Sequence, residues 1–190
     1  MKRSELARRL LEADRSSIWA FTHASFGALM EKVEPNYLKL MMKRLTDQGV
    51  LLRAARGVYV NPLARSLPAD VRRSLLCFLR PREISYVSLE SKLSEAGAIS
   101  QISTTLTCMT TGSPGTFGTP WGIIEFTHTD RYIDPEKDVY RRDDGTLEAT
   151  VARAERDLRR VGRNIDLIDP ETLADAIAEE ERHEQQSFQP

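Results

Sequence analysis

Apolar residues recur at helical spacing through the first fifty positions and then give way to short apolar runs around a glycine. Leu6, Leu10 and Ala13 fall on one stripe, with Ala7 and Leu11 beside them, which predicts a helix over residues 4–13. Residues 16–21 read as a short extended segment that brings Ile18 and Trp19 to the core. Thr22 is placed to cap a second helix, residues 23–30, whose Phe26, Leu29 and Met30 again recur at helical spacing. A turn over 31–34 leads to a third helix, residues 35–48. Pro35 stands at its first position, where a missing N–H costs nothing, and Gly49 stands where the chain must leave it.

Laid out at about 100° per residue, the third helix puts Leu38, Met41, Met42 and Leu45 on one side. Asn36, Lys39, Leu40 and Lys43 then face the other way, flanked by Tyr37 and Arg44. Such a face suits a DNA groove: Asn pairs bidentately with adenine, Lys reaches guanine acceptors or phosphates, and Leu meets a thymine methyl. Asp47 lies on the same side near the C-terminus, where phosphates would repel it. The bland reading is a solvated helix face. Residues 50–60 tip the balance, because two short apolar strands around Gly57 form a hairpin with Arg53 and Arg56 near its tip. Guanidinium groups there can follow the DNA backbone or enter a narrow minor groove. Tyr59 reads as a packing residue. Three helices and a basic hairpin in this order predict a winged helix-turn-helix over residues 1–66.

Charge supports that division. Residues 1–73 hold 14 Lys and Arg against 7 Asp and Glu, whereas residues 74–190 hold 13 against 21. The overall net charge of −1 conceals the split. A basic segment attached to an acidic one points to a polyanion as its partner.

The remainder, residues 67–190, predicts a small α/β domain, making the fold class α+β. An amphipathic helix is expected over 69–79 with Arg72 and Arg73 exposed, ended by Arg80-Pro81-Arg82. Ser88 is placed to cap a helix over 89–96 that Gly97 closes. Strand-like runs at 105–110 and 123–128, separated by turn-rich stretches, predict a small antiparallel sheet. C-terminal helices follow. The first carries Val151, Ala154, Leu158 and Val161 in a stripe, and Arg153, Arg156, Arg159, Arg160 and Arg163 as a solvated or phosphate-contacting face. Asp169-Pro170 opens the last, whose acidic tail over 179–184 is expected to fray.

No apolar run approaches the ~18 residues of a membrane span, and no apolar signal region precedes the first helix, so a cytoplasmic protein without membrane partners is expected. Cys77 and Cys108 lack metal-ligand spacing and read as buried, reduced thiols. Glu125, Asp130 and Asp134 suggest an acidic metal site, but the position two after the strand acid is Thr127 rather than a base. Glu125 and His128, three apart on a strand, point to opposite faces. The stretch 111–115 lacks the lysine and following helix of a phosphate loop. No catalytic residue, metal or cofactor is therefore expected.

Four segments carry a resemblance: Ile84-Ser85-Tyr86-Val87-Ser88-Leu89-Glu90-Ser91, Ala98-Ile99-Ser100-Gln101, Thr110-Thr111-Gly112 and Gly122-Ile123-Ile124-Glu125-Phe126-Thr127-His128-Thr129. Together they resemble the AbiEi antitoxin family of type IV toxin-antitoxin systems, which also begins with a winged helix-turn-helix leading through a Gly-x-Tyr segment, here Gly57-Val58-Tyr59. The resemblance implies an autorepressor binding inverted repeats in double-stranded operator DNA, and a C-terminal domain that counters a nucleotidyltransferase-like toxin, directly or functionally. Larger members carry more chain after residue 147. Two such domains on an inverted repeat, as a homodimer on DNA, would lie about one DNA turn, ~34 Å, or a multiple of it apart. The competing expectation is a protein-interaction module that sequesters a toxin without specific DNA binding.

Overall fold

The computed structural model describes residues 3–31, 33–100 and 104–187, so Gln101 of the motifs above lies outside the described residues. The protein is a mixed α+β chain that divides into two compact units, Met1–Val71 with Gly118–Trp121, and Arg72–Phe117 with Gly122–Pro190.

The first unit begins with α1 (Arg3–Arg15), β1 (Ala20–Thr22), α2 (His23–Met30) and α3 (Pro35–Asp47), and closes with β2 (Leu52–Ala55) and β3 (Val58–Val60). Local chemistry sets these boundaries. Thr22 Oγ1 accepts the Ser25 N–H at 3.1 Å while Ser25 Oγ accepts the Thr22 N–H at 2.9 Å, a reciprocal cap for α2. Pro35 opens α3, and Gly49 leaves it at φ +71, a conformation costly for any side chain bearing a Cβ. The strands form an antiparallel sheet in the order β1-β3-β2. Leu10, Ala13, Phe21, Phe26, Met30, Leu38, Met41, Met42, Leu45 and Leu51 make one core, which includes the whole predicted inner stripe of α3. Trp19 is buried as expected. Ile18 is exposed instead, because the chain reverses at Ser17 (φ +57) before β1 begins.

The second unit departs further from expectation. In place of one helix over 69–79 there are two short ones, α4 (Val71–Ser74) and α5 (Leu76–Leu79). Its sheet is mixed rather than antiparallel. It contains β4 (Ser85–Val87), β5 (Thr105–Thr110), β6 (Gly115–Thr119), β7 (Gly122–His128), β8 (Val139–Arg141) and β9 (Leu147–Ala149), in the order β6-β7-β5-β4-β9-β8. The cause is β6, which the sequence presents as turn residues. One reversal between β5 and β7 would make them antiparallel; the added strand supplies a second reversal, so β7 returns parallel to β5, in register from Thr105↔Ile123 to Thr110↔His128. The helices α6 (Leu89–Glu95), α7 (Val151–Val161) and α8 (Pro170–Ser187) contribute to its core, where Leu89, Leu93, Val151, Ala154, Leu158 and Leu173 meet Tyr86, Met109 and Ala149. The helix α8 continues to Ser187, and its Glu180 is tied to Lys92 at 2.9 Å.

Several motif residues join elements of this unit. Ser88 precedes α6 but does not cap it: its hydroxyl donates to Asp157 Oδ2 at 2.9 Å. Thr107 of β5 takes over that role, accepting the Ser91 N–H at 3.0 Å and donating to the Ser88 carbonyl at 2.9 Å. Arg73 and Arg153, both expected on the surface, are buried. Arg73 pairs with Glu148 and Glu95. Arg153 donates to Asp138 at 2.5 Å, to Asp157 at 3.0 Å and to the Tyr86 hydroxyl at 2.9 Å. Arg163 likewise pairs with Glu90 and Glu125. Cys108 is buried, and its thiol is pushed up by desolvation; Cys77, contrary to expectation, is exposed.

Removing Arg153 strands two buried carboxylates, so Arg153→Met lowers unfolding free energy by about 3 to 5 kcal/mol, read from urea denaturation. Burial pushes the Asp138 carboxyl up, but the Asp134 N–H, Arg156 and Arg153 outweigh it and hold it below its ordinary 3.8. A depressed carboxyl contributes stability that is present above the unfolded value and lost as pH falls through the folded one. Asp138→Asn is therefore destabilised relative to the parent at neutral pH, and the difference shrinks as pH falls below 3.8; urea midpoints at the two extremes measure it.

Candidate nucleic-acid interface

The candidate surface lies on the first unit. Burying Leu38, Met41, Met42 and Leu45 leaves Asn36, Tyr37, Lys39, Leu40, Lys43 and Arg44 all exposed along α3. Tyr37 and Leu40 are notable as large apolar groups left 45% and 44% exposed. The hairpin adds two further cations. Arg53 is exposed on β2, with Nε 3.4 Å from the Ala55 carbonyl, and Arg56 is exposed in the turn beside Gly57. Ala54, Val58 and Val60 hold this hairpin to the unit by burial, while Tyr59 is half-buried with its ring edge-on to His23 at 5.3 Å.

Exposed cations differ in how free they are. Arg8 of α1 is bridged to Glu5 and Glu12, and Arg9 to Glu5 and Glu31. Lys43 is paired with Asp47 at 2.9 Å, one helical turn on. Among the described residues no ion pair engages Arg44, Arg53 or Arg56. The surface available to a polyanion is therefore centred on α3's outer flank and the hairpin tip.

Two carboxylates shape this surface in ways the sequence reading missed. Glu34 accepts the Tyr37 N–H at 3.0 Å, and the backbone N–H groups of Asn36 and Tyr37, with Lys39 nearby, hold its carboxyl below the usual range. The positive end of α3 is thus already occupied by an anion, and a phosphate gains little there. Contacts must come from side chains. An acidic residue immediately before Pro35 was the available signal. Asp47, read from sequence only as repelling phosphate, also neutralises Lys43; the four-residue spacing carried that information.

In the second unit the row of arginines on and just after α7 is largely spent internally. Arg153 and Arg163 turn inward, Arg156 pairs with Asp138, Arg159 with Glu155, and Arg160 donates to Thr129 Oγ1 at 2.8 Å. A polar cleft of about 480 Å³ beside them mixes Arg131, Lys137 and Arg160 with Asp134 and Asp138. Glu125 is held by Arg163, and His128 Nδ1 lies 2.8 Å from the Gly112 carbonyl, so the two residues are engaged separately. Among the described residues no three His, Cys, Asp or Glu side chains gather as a metal-ligand group, and no helix is long and apolar enough to cross a membrane.

No protein-family model matches this chain, and no curated protein matches it.

Asp47→Asn removes one carboxylate from the α3 face and releases Lys43. The variant elutes from a heparin column at higher salt than the parent. The gain is about 1 kcal/mol or less, as befits an exposed pair. Unchanged elution would place the polyanion surface elsewhere.

Proposed function

We propose that the first unit is a winged helix-turn-helix that binds double-stranded DNA, with α3 in the major groove and the β2–β3 hairpin as the wing. One observation carries this reading: a helix whose outer face is polar and cationic is followed at once by a hairpin whose unpaired arginines sit at and beside its tip. Asn36 and Lys39 then lie where bases are read, Leu40 and Tyr37 offer apolar contact, and Lys43, Arg44, Arg53 and Arg56 supply phosphate or groove contacts. Glu34 and Asp47 at the two ends of α3 limit how closely either end approaches phosphates, which leaves the contacts to the side chains between them.

The chain acts by binding rather than by catalysis. Its likeness to the AbiEi antitoxin family extends the proposal to an autorepressor that occupies inverted repeats as a pair, and to a second unit that counters a nucleotidyltransferase-like toxin. The sequence motifs support that extension. In the structure, residues 84–91 span β4 and the start of α6, and 122–129 cover β7, so much of the motif set forms adjoining parts of one sheet.

Fluorescence anisotropy on the protein's own upstream DNA and on a scrambled duplex tests the reading. Preference of ~10³-fold or more for the upstream duplex is expected, with affinity falling steeply with salt. Arg56→Ala and Arg44→Ala each weaken binding by about 1 to 3 kcal/mol where they meet a base edge, and lower the salt slope by about 1 where they meet a phosphate. Equal, weak binding to both duplexes would replace the repressor with a protein-interaction module.

A further inference from the structure

The second unit holds a cleft whose positive charge its own carboxylates do not balance. The segment between β7 and β8, together with α7, encloses about 480 Å³, within the roughly 300–1,000 Å³ typical of small-ligand sites. Five Lys and Arg side chains line it against three Asp. The carboxylates are largely spent on their neighbours. Asp138 Oδ1 accepts from Arg156, and its Oδ2 accepts from Arg153 at 2.5 Å and from the Asp134 N–H at 2.9 Å. Asp157 Oδ1 accepts from Arg153 at 3.0 Å, while its Oδ2 takes the Tyr86 and Ser88 hydroxyls. Asp138 and Asp157 therefore balance Arg153 and Arg156, which leaves Arg131, Lys137 and Arg160 against Asp134 among the lining residues.

These three cations keep most of their donors unspent. Arg160 donates to the Thr129 hydroxyl at 2.8 Å, an acceptor that carries no charge. Among the described residues no carboxylate pairs with Lys137 or Arg160. Arg131 meets Asp130 at 4.0 Å with both side chains well exposed, a pair that contributes little in water. Glu136, next to Lys137 in the chain, is exposed to solvent. A cleft lined by an excess of one sign concentrates ligands of the other. Guanidinium and ammonium groups lining one small space suit phosphate oxygens, which accept several charge-assisted hydrogen bonds at once.

An aromatic ring stands beside the cations. Tyr132 lines the cleft and is 80% exposed, whereas Ile133, the next residue, packs against the core. The backbone that carries the ring is braced. The Tyr132 carbonyl accepts from the buried Arg153 at 3.2 Å, and the Arg131 N–H donates to Oγ1 of the buried Thr129 at 3.3 Å. Four residues on, the Asp138 N–H donates to the Asp134 carbonyl at 2.9 Å and closes the turn. The ring is thus held out in water by a fixed segment. Free cations and an open ring in one cleft offer two separate contacts to a single ligand: charge for a phosphate, and a face on which a planar base stacks.

We propose that this cleft binds a nucleotide, with its phosphates against Arg131, Lys137 and Arg160 and its base stacked on Tyr132. Every base has a flat face, so the ring favours a nucleotide over a bare phosphate without choosing among bases. Arg153 is a positioning residue, acting through the Tyr132 carbonyl and Asp138. The site belongs to the second unit and does not depend on DNA binding by the first.

Isothermal titration calorimetry of the full chain with ADP and with inorganic pyrophosphate, in buffer without divalent cations, tests the site. Both ligands bind at millimolar concentration or below, and ADP binds about tenfold more tightly because it adds the stacking contact. Lys137→Ala and Arg160→Ala each weaken both ligands by roughly tenfold. Tyr132→Ala brings ADP down to the level of pyrophosphate and leaves pyrophosphate unchanged. Lys137 and Tyr132 are exposed, so circular dichroism and urea midpoints of those two variants stay close to the parent's. No saturable heat from either ligand, binding indifferent to Lys137→Ala and Arg160→Ala, or ADP no tighter than pyrophosphate overturns the proposal. So does a loss on these substitutions confined to duplex DNA, which would make the cleft a contact for nucleic-acid backbone. Failure of the DNA reading shows differently: no duplex is preferred, while ADP still binds and responds to Tyr132→Ala.

Discussion

A cation taken out of water must be met by carboxylates and hydroxyls, and the second unit is organised around meeting three of them. Arg153 joins α7 to β4 through Tyr86 and to the segment before β8 through Asp138. Arg73 joins α4 to β9 through Glu148, whose other oxygen accepts the Tyr140 hydroxyl at 2.8 Å. Tyr140 in turn accepts from Lys92, and Lys92 reaches Glu180 of α8, which also accepts the first N–H of α7 at 2.6 Å. Buried charge of this kind adds modest net stability against an apolar alternative, but every broken link is costly. The network therefore fixes which strand and helix meet, more than how strongly.

That internal pairing also separates the two units electrostatically. The second unit's sequence carries 15 Lys and Arg, yet its α7 arginines are engaged by neighbouring carboxylates, a threonine hydroxyl or buried groups. The first unit has fewer carboxylates to spend. Its own pairs, on α1 and at Lys43–Asp47, leave Arg44, Arg53 and Arg56 in water. Cationic residues become a binding surface through what does not neutralise them, and raw composition does not show that difference.

The same distinction explains what could be read from sequence. Thr22 before α2, Pro35 opening α3, and the stripe Leu38, Met41, Met42, Leu45 are local signals, since a cap or a 3.6-residue period involves neighbours only a turn away. All appear in the structure where the sequence put them. Arg73 was misjudged because Glu148 stands 75 residues away, and Arg153 because its burial depends on Tyr86, 67 residues away, although another partner, Asp157, lies only one helical turn on. β6 was hidden by Gly115, Gly118 and threonines that usually mark turns, and missing it inverted the expected direction of β7. β4, β8 and β9 are three residues each, too short for an alternation to show. At the candidate surface the exposure of all eight residues was legible from helix and hairpin geometry, while the influence of Glu34 depended on its carboxylate turning back onto the Tyr37 N–H.

The outer and the inner face of the first unit's third helix follow from one period. Four apolar residues of α3 turn inward, which obliges Lys39, Lys43 and Arg44 to turn outward together. At its last turn the inward stripe runs out: Leu45 is buried, Gln48 and Gly49 are exposed, and Val50 is half-buried as the chain bends toward β2. No further side chain of α3 covers α1 there, so Leu11 and Leu6 keep an open apolar flank that the Leu63 segment borders without closing. A longer α3 would fill this flank and also carry more charge along the outer face. Ending the helix at Gly49 therefore limits the length of the outer face and leaves the apolar cleft open in a single step.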